Sequence, residues 1–187
     1  MNRIAMARPS WDQEMRQAAL DTLDSLHWVK GPQGKAFGKE FSAYSDAVQG
    51  TPCQSGSVAL WAALRLLDIG PGDEVLVPSL TYIATATCVS LCGATPVFVD
   101  VEPSYWCVDL ASMEAARTPR TKAVIAVHLF GQMCDDELVE WCEEHGIAYI
   151  EDAAQAHGAV AGDGRKAGGV GDVACFSFFP SKNLAVG

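Results

Sequence analysis

Five short apolar runs in the second half of the chain constrain its fold more than any other feature. They cover residues 74–77, 96–99, 123–127, 147–150 and 173–176. Stretches with helical spacing lie between most of them, at 83–91, 110–117 and 136–145. Runs this short are strand-sized, and strands that alternate with helices form mostly parallel sheets covered on both faces. The sequence therefore predicts an α/β fold in which helices sandwich a mostly parallel sheet.

The first seventy residues predict three further helices. Ser10 is a possible N-cap for a helix in which Trp11, Met15 and Leu23 recur at helical spacing, and Gly31-Pro32 would end it. A second helix is expected over about 38–48, and a third begins at Ser55-Gly56-Ser57. With 187 residues, the chain is predicted to be one domain, residues 1–187, that is incomplete at its C-terminal end.

Charge and composition argue against several classes of partner. Thirteen basic and 23 acidic residues give a net charge of −10, so a nucleic-acid backbone would be repelled. The apolar runs are too short to span a membrane and the first nine residues are too polar for a signal peptide, so we expect no membrane association and a cytoplasmic location. The seven cysteines include no C-x-x-C pair, and with the four histidines they predict free thiols and no metal site.

Two residues near the end of the chain suggest a cofactor. Asp152 follows the run at 147–150, and Lys182 follows the run at 173–176. Open α/β sheets bind ligands at the carboxyl ends of their strands. A lysine can hold pyridoxal phosphate (PLP) as a Schiff base while a carboxylate keeps the pyridine nitrogen protonated. Asp152 could equally cap a helix that starts at Ala153, and Lys182 could be a solvent-facing loop lysine.

Other residues near these two have a functional and a structural interpretation. Ser57 and the amides of Ser57 and Val58 could bind a phosphate at a helix N-terminus, or Ser55 could simply cap that helix. Tyr82 could stack on a planar cofactor or belong to the core. Gln155 could reach a cofactor oxygen or cover a polar rim, and for His157 a supporting or structural role is favoured.

Six segments, taken together, resemble the DegT/StrS family of sugar aminotransferases, which share the aspartate-aminotransferase fold of PLP enzymes. They are residues 70–75, 78–85, 93–100, 127–132, 151–158 and 175–184. Their order along nearly the whole chain makes the resemblance more specific than any one motif. It implies a PLP-binding large domain that ends just after the Schiff-base lysine and lacks its C-terminal part.

The resemblance also implies a role for each candidate residue. Lys182 would be the catalytic lysine and would shuttle a proton, while the others would bind the cofactor. Asp152 would face the ring nitrogen, Gln155 would contact the phenolic oxygen and Tyr82 would stack on the ring. The phosphate would be held by Ser57, the Val58 amide and Ser177. The implied reaction moves an amino group, usually from glutamate, to a keto group of a nucleotide-linked deoxysugar in a cytoplasmic homodimer.

Two departures from the family pattern qualify this interpretation. Ser57 stands where the family usually has threonine, and serine retains the hydroxyl group. The chain also ends at Gly187, at about half the family's length. The alternative is therefore a truncated, inactive fragment that at most binds PLP or a partner. Another PLP chemistry on the same fold fits the motifs poorly, and the presence of Lys182 favours amino transfer over the dehydratases of the family, which carry histidine there.

Overall fold

A five-stranded parallel sheet forms the centre of the structure, a computed structural model that describes residues 9–185. The strands are β1 (Glu74–Pro78), β2 (Thr95–Val99), β3 (Thr121–Val127), β4 (Ala148–Asp152) and β5 (Val173–Cys175). Their order in the sheet is β2-β1-β3-β4-β5, and every neighbouring pair is parallel. Because all strands point the same way, their carboxyl ends meet at one edge of the sheet.

Within residues 9–185, six α-helices and one 3₁₀ turn (Leu129–Gly131) accompany the sheet, and apolar cores lie on both of its faces. The helices are α1 (Gln13–Asp24), α2 (Pro32–Tyr44), α3 (Gly56–Leu66), α4 (Ala84–Leu91), α5 (Leu110–Ala116) and α6 (Glu137–His145). Residues from α3 and α4 pack with Val75, Ile125 and Ile150 on one face. Residues from α5 and α6 pack with Leu76 and Val124 on the other. This alternation along each strand confirms the predicted sandwich.

The N-terminal helices begin at different residues than predicted. The N-cap of α1 is Asp12, whose side chain accepts a hydrogen bond from the Met15 N–H, so the prediction of Ser10 as cap was wrong. Pro32 starts α2 rather than ending the helix before it. Proline has no N–H to lose in the first turn of a helix, and its fixed φ suits that position.

The helix α1 makes little contact with the rest of the described chain. None of residues 13–24 is buried, and its large apolar side chains are exposed, including Leu20 and Leu23. The apolar spacing therefore predicted the helix correctly although it does not pack on the sheet. Among residues 9–185, no helix combines the length and the apolar character that crossing a bilayer requires.

Candidate active site

A cavity of about 320 Å³ opens at the carboxyl ends of the strands, where the sequence predicted a ligand site. It brings together six of the seven predicted site residues: Ser57, Tyr82, Asp152, Gln155, Ser177 and Lys182. These residues come from four segments: the start of α3 and the segments at the ends of β1, β4 and β5. The remaining wall is formed by residues such as Ser55, Thr81, Leu129 and Phe179.

Asp152 ends β4 and carries a buried carboxylate, with 7% of the residue exposed. Its Oδ2 accepts a hydrogen bond from Thr85 Oγ1 at 3.0 Å, and its Oδ1 accepts one from the Ala154 N–H at 3.3 Å. Burial raises the pKa of Asp152, while these two hydrogen bonds and the charge of Lys182 partly oppose the rise. Residues 153–158 form turns and not a helix, so the alternative interpretation of Asp152 as a helix cap was wrong.

Thr85 supports Asp152 and was missed by the sequence analysis. It is fully buried, and its hydroxyl also lies 3.0 Å from the Thr81 hydroxyl. Thr81 lines the cavity. A chain of hydroxyls thus runs from the cavity wall to the carboxylate. The threonine pair sits in the segment that carries the family resemblance, but a buried threonine on a helix is not distinguishable by spacing from a packing residue.

The N-terminus of α3 lies against the segment that follows β5. A Cβ added to Gly56 would stand 2.9 Å from the Ser177 Cβ, so the two segments are as close as a glycine allows. Ser57 and Ser177 therefore reach the same end of the cavity. Ser55 is the N-cap, as one of the two interpretations predicted, and its Oγ accepts a hydrogen bond from the Val58 N–H at 3.3 Å.

Val58 is the one predicted site residue that does not line the cavity. Its N–H already has the Ser55 hydroxyl as a partner, so the amide is satisfied by capping. A phosphate could bind this N–H only if it displaced that hydroxyl. An anion at the N-terminus of α3 would therefore be bound mainly by the hydroxyls of Ser57 and Ser177 and by the positive end of the helix dipole.

Gln155 is fixed by a backbone group of the 3₁₀ turn at Leu129–Gly131. Its Oε1 accepts a hydrogen bond from the Phe130 N–H at 2.9 Å. Phe130 adopts a left-handed conformation with φ 58°, which directs this N–H. While its oxygen accepts this bond, the amide N–H groups of Gln155 can donate to an oxygen of a bound molecule.

Tyr82 and Lys182 stand at the rim of the cavity. Tyr82 is 71% exposed, so it does not belong to the core, and its ring is free to cover a bound planar molecule. Lys182 is half-buried in a turn in which its N–H donates to Phe179 O at 2.8 Å. Burial raises the pKa of Asp152, and the positive charge of the Lys182 ammonium group partly opposes that rise.

Glu151 precedes Asp152 in β4 but points to the other face of the sheet. Both Glu151 and His128 are fully buried, and His128 Nε2 lies 3.0 Å from Glu151 Oε2. The N–H groups of Gly168, Val170 and Gly171 also donate to this carboxylate. Burial tends to raise the pKa of Glu151, but the hydrogen bonds from His128, Gly168 and Gly171 outweigh it and lower the pKa. Glu151 and His128 therefore anchor a loop and do not reach the cavity.

The polar and charged groups in the cavity fit PLP. Asp152 is a buried carboxylate with a raised pKa, and a cation such as a pyridinium nitrogen would relieve the cost of its ionisation. Ser57 and Ser177 offer hydroxyls beside a helix N-terminus, where a phosphate binds well. Lys182 supplies an amine. Within residues 9–185, no cluster of three or more His, Cys, Asp or Glu side chains is arranged to hold a metal ion.

Comparison with known proteins gives a family match. The model of the DegT/DnrJ/EryC1/StrS aminotransferase family matches residues 9–187. The chain is 50% identical over 163 residues to the UDP-N-acetyl-3-dehydro-alpha-D-glucosamine 3-aminotransferase of Acidithiobacillus ferrooxidans, covering 87% of this chain and 44% of that protein. It is 46% identical to the GDP-perosamine synthase of Caulobacter vibrioides, covering 99% of this chain and 50% of that protein. The chain thus spans about half the length of the curated relatives it matches.

Solved structures share the fold. The structure of DesV from S. venezuelae superposes with a TM-score of 0.89 at 47% identity, covering 92% of this chain and 46% of that one. The PLP form of the putative sugar aminotransferase Spr1654 from Streptococcus pneumoniae gives a TM-score of 0.90 at 30% identity, covering 98% of this chain and 51% of that one. Both similarities cover nearly all of this chain and about half of the other.

Proposed function

Because this chain belongs to the DegT/DnrJ/EryC1/StrS aminotransferase family, we propose that it forms the PLP-binding part of a sugar aminotransferase. The reaction transfers an amino group to a keto group of a nucleotide-linked deoxysugar. The observation that carries the proposal is that one cavity holds a lysine amine, a buried carboxylate and two serine hydroxyls beside a helix N-terminus. Relatives whose names specify amino sugars support the substrate class.

Each residue of the cavity has a distinct task in this proposal. Lys182 would bind the cofactor covalently through its Nζ and would then move a proton as a general base and acid. Asp152 would stabilise a protonated ring nitrogen, and PLP so bound supplies an electron sink for the reaction. Gln155 would donate a hydrogen bond to a ring oxygen, since its own oxygen is engaged by Phe130.

The remaining residues would bind and shield the cofactor. Ser57 and Ser177 would hold the phosphate at the N-terminus of α3, and the Val58 amide would join them if the Ser55 hydroxyl moved away. Tyr82 would cover one face of the ring and exclude water from it. The hydroxyls of Thr85 and Thr81 would keep the Asp152 carboxylate oriented toward the cavity.

We further propose glutamate as the amino donor, a homodimer as the working form and the cytoplasm as the location. The seven cysteines are all free thiols, which supports a reducing compartment. Exposed apolar side chains such as Leu20, Leu23 and Tyr82 support burial against further protein. Glutamate and the homodimer follow from the family resemblance.

An amino-transfer assay tests the proposed function. The protein is incubated with PLP, glutamate and a panel of 3-keto and 4-keto nucleotide sugars, and 2-oxoglutarate and the amino sugar are quantified. Lys182→Arg is the matched variant, because it keeps the positive charge near Asp152 but cannot bind PLP covalently. We expect at least one amino sugar, with a rate about 10²- to 10⁴-fold lower in the variant. Equal rates in both proteins would contradict the assigned role of Lys182.

A further inference from the structure

The segment that carries Lys182 has no regular secondary structure of its own. After β5 the described chain continues to residue 185 as turns and bends, and Phe179 and Pro180 are exposed. An irregular exposed segment is ordinarily mobile. A lysine that must meet a ligand at a fixed distance needs its backbone held, so contacts that anchor this segment bear directly on its function.

A reciprocal pair of hydrogen bonds anchors the residue next to Lys182. Asn183 Nδ2 donates to the backbone oxygen of His157 at 3.3 Å, and Asn183 Oδ1 lies 2.7 Å from His157 Nδ1. Since the amide oxygen can only accept, His157 Nδ1 carries the proton of this bond. The neutral ring then leaves Nε2 unprotonated, and Nε2 is buried without a hydrogen-bond partner among the described residues.

The His157 ring is held in turn by aromatic side chains. Its centroid lies 5.1 Å from that of Phe178, 5.4 Å from Phe176 and 6.2 Å from Phe41. Phe176 and Phe178 flank Ser177, while Phe41 belongs to α2. These contacts hold the ring in one position, from which its Nδ1 meets Asn183. His157 lies five residues after Asp152.

We propose that His157 is a positioning residue that fixes the backbone of Lys182 through Asn183, in a role that nothing in the family match assigns. The proposal rests on the proposed function in one respect: the Lys182 amine is positioned so that it can bind PLP. It links the two groups that act on the cofactor: His157 belongs to the turn after Asp152, and Asn183 belongs to the turn of Lys182. The path from His157 to Lys182 runs through Asn183, which makes both hydrogen bonds with His157 and directly follows Lys182.

Two substitutions of His157 distinguish the effect of its hydrogen bond to Asn183 from the effect of its aromatic packing. His157→Asn keeps a donor near the place of Nδ1 but removes the aromatic packing. His157→Phe keeps a ring among Phe41, Phe176 and Phe178 but removes the donor. Asn183→Ala removes both hydrogen bonds at an exposed position, so it stays informative if a ring substitution prevents folding. Melting temperatures establish which variants fold.

The first measurement does not require the cofactor. Trypsin cleaves after Lys182, and the rate is followed by mass spectrometry relative to cleavage after Arg16, which lies in the exposed helix α1. Cleavage of a transiently opened segment reports the population of its open state. We expect His157→Phe and Asn183→Ala to accelerate cleavage after Lys182 about 2- to 10-fold, as the loss of one net hydrogen bond would, with His157→Asn near the wild-type rate.

The second measurement is the affinity for PLP, read from borohydride-reducible label on Lys182. The same order of variants is expected, with an about 2- to 10-fold weaker affinity for His157→Phe. The proposal is overturned if His157→Phe changes neither readout, or if His157→Asn is more impaired than His157→Phe, because the ring packing and not the hydrogen bond would then be what matters. Wild-type protein without label but with the expected cleavage order would sink the proposed function and leave the anchor standing.

Discussion

At the scale of single residues, Glu151 and Asp152 show how neighbouring carboxylates acquire different properties. Side chains alternate across a strand, so one faces the loop at 168–171 and the other faces the cavity. Glu151 is surrounded by donors, which lower its pKa against the effect of burial. Asp152 has fewer donors, and burial raises its pKa. A carboxylate left partly unsatisfied in this way is a sign of a binding site.

Replacing Asp152 should stabilise the cofactor-free protein and weaken its binding of PLP. Because its pKa in the fold lies above the ordinary 3.8, the ionised group costs stability, and this cost grows as pH rises from 3.8 through the folded pKa. Asp152→Asn removes the cost, so we expect a gain on the order of 1 kcal/mol at pH 7. The gain should vanish in acid. Melting curves at pH 4 and 7 check this, and a variant destabilised at pH 7 would contradict it.

Replacing Glu151 should have the opposite effect on stability. Glu151→Gln removes the buried negative charge that faces His128 and the N–H groups of residues 168, 170 and 171. We expect the free energy of unfolding to fall by about 3 kcal/mol. The contribution of Glu151 is complete above the unfolded pKa near 4.5 and is lost as pH falls through the lower folded pKa. The control is Glu114→Gln, at an exposed pair with Arg117, where the change should stay below about 1 kcal/mol. Equal decreases in the free energy of unfolding for Glu151→Gln and Glu114→Gln, measured by urea denaturation, would contradict this prediction.

Six of the seven residues that the sequence predicted for the site line one cavity, for a physical reason. Asp152 ends β4, Gln155 lies in the turn after it and Lys182 lies in the segment after β5, and the ends of parallel strands converge. Side chains whose role depends on packing were not predictable. Thr85 supports Asp152 from inside α4, a contact that only the three-dimensional arrangement reveals. Capping of α3 by Ser55 was one of two interpretations that the sequence left open, and the structure decides for it.

At the scale of secondary structure, the strands were predicted better than the N-terminal helices. Strands buried on both faces are continuous apolar runs, and Val75 to Val77 show this signal clearly. Gly31-Pro32 is ambiguous, because the same pair can follow one helix or start the next. In the structure, Gly31 is the N-cap of α2 and Pro32 is its first residue.

The contact between α3 and the segment after β5 gives a test at this scale. Gly56→Ala would place a methyl group against the Ser177 Cβ and Phe176 O, so we expect a loss of about 1–3 kcal/mol and weaker binding of PLP. Gly34→Ala is the control, since Gly34 lies in α2 with no atom near its Cβ position. That variant should gain up to about 1 kcal/mol. Two variants of equal stability and affinity would rule out the close contact.

At the scale of the whole molecule, the reactivity of the cysteines reports how well the interior of the fold is shielded from solvent. Cys53 is exposed, and the other six are buried. Burial raises the pKa of Cys142 to about 12 and also raises that of Cys175 at the cavity. We expect one thiol to react rapidly with iodoacetamide in the native protein and all seven to react in denaturant, as counted by mass spectrometry. Rapid alkylation of Cys175 in the native protein would show that the cavity floor is open.

The 187 residues contain the candidate cofactor cavity, while the relatives they match are about twice as long. Both the cavity and the sheet that positions it lie within the residues that the structure describes. The central claim is therefore that this chain assembles a PLP site around Lys182, whatever further protein the full reaction needs.

Covalent trapping of PLP tests that claim most directly. The purified chain is mixed with PLP, reduced with borohydride and digested, and the peptide that carries the added mass is identified, with Lys182→Arg as the matched control. We predict stoichiometric label on Lys182 and none at that position in the variant. Absence of label on Lys182 in a folded wild-type chain, or label distributed over other lysines, would contradict the account.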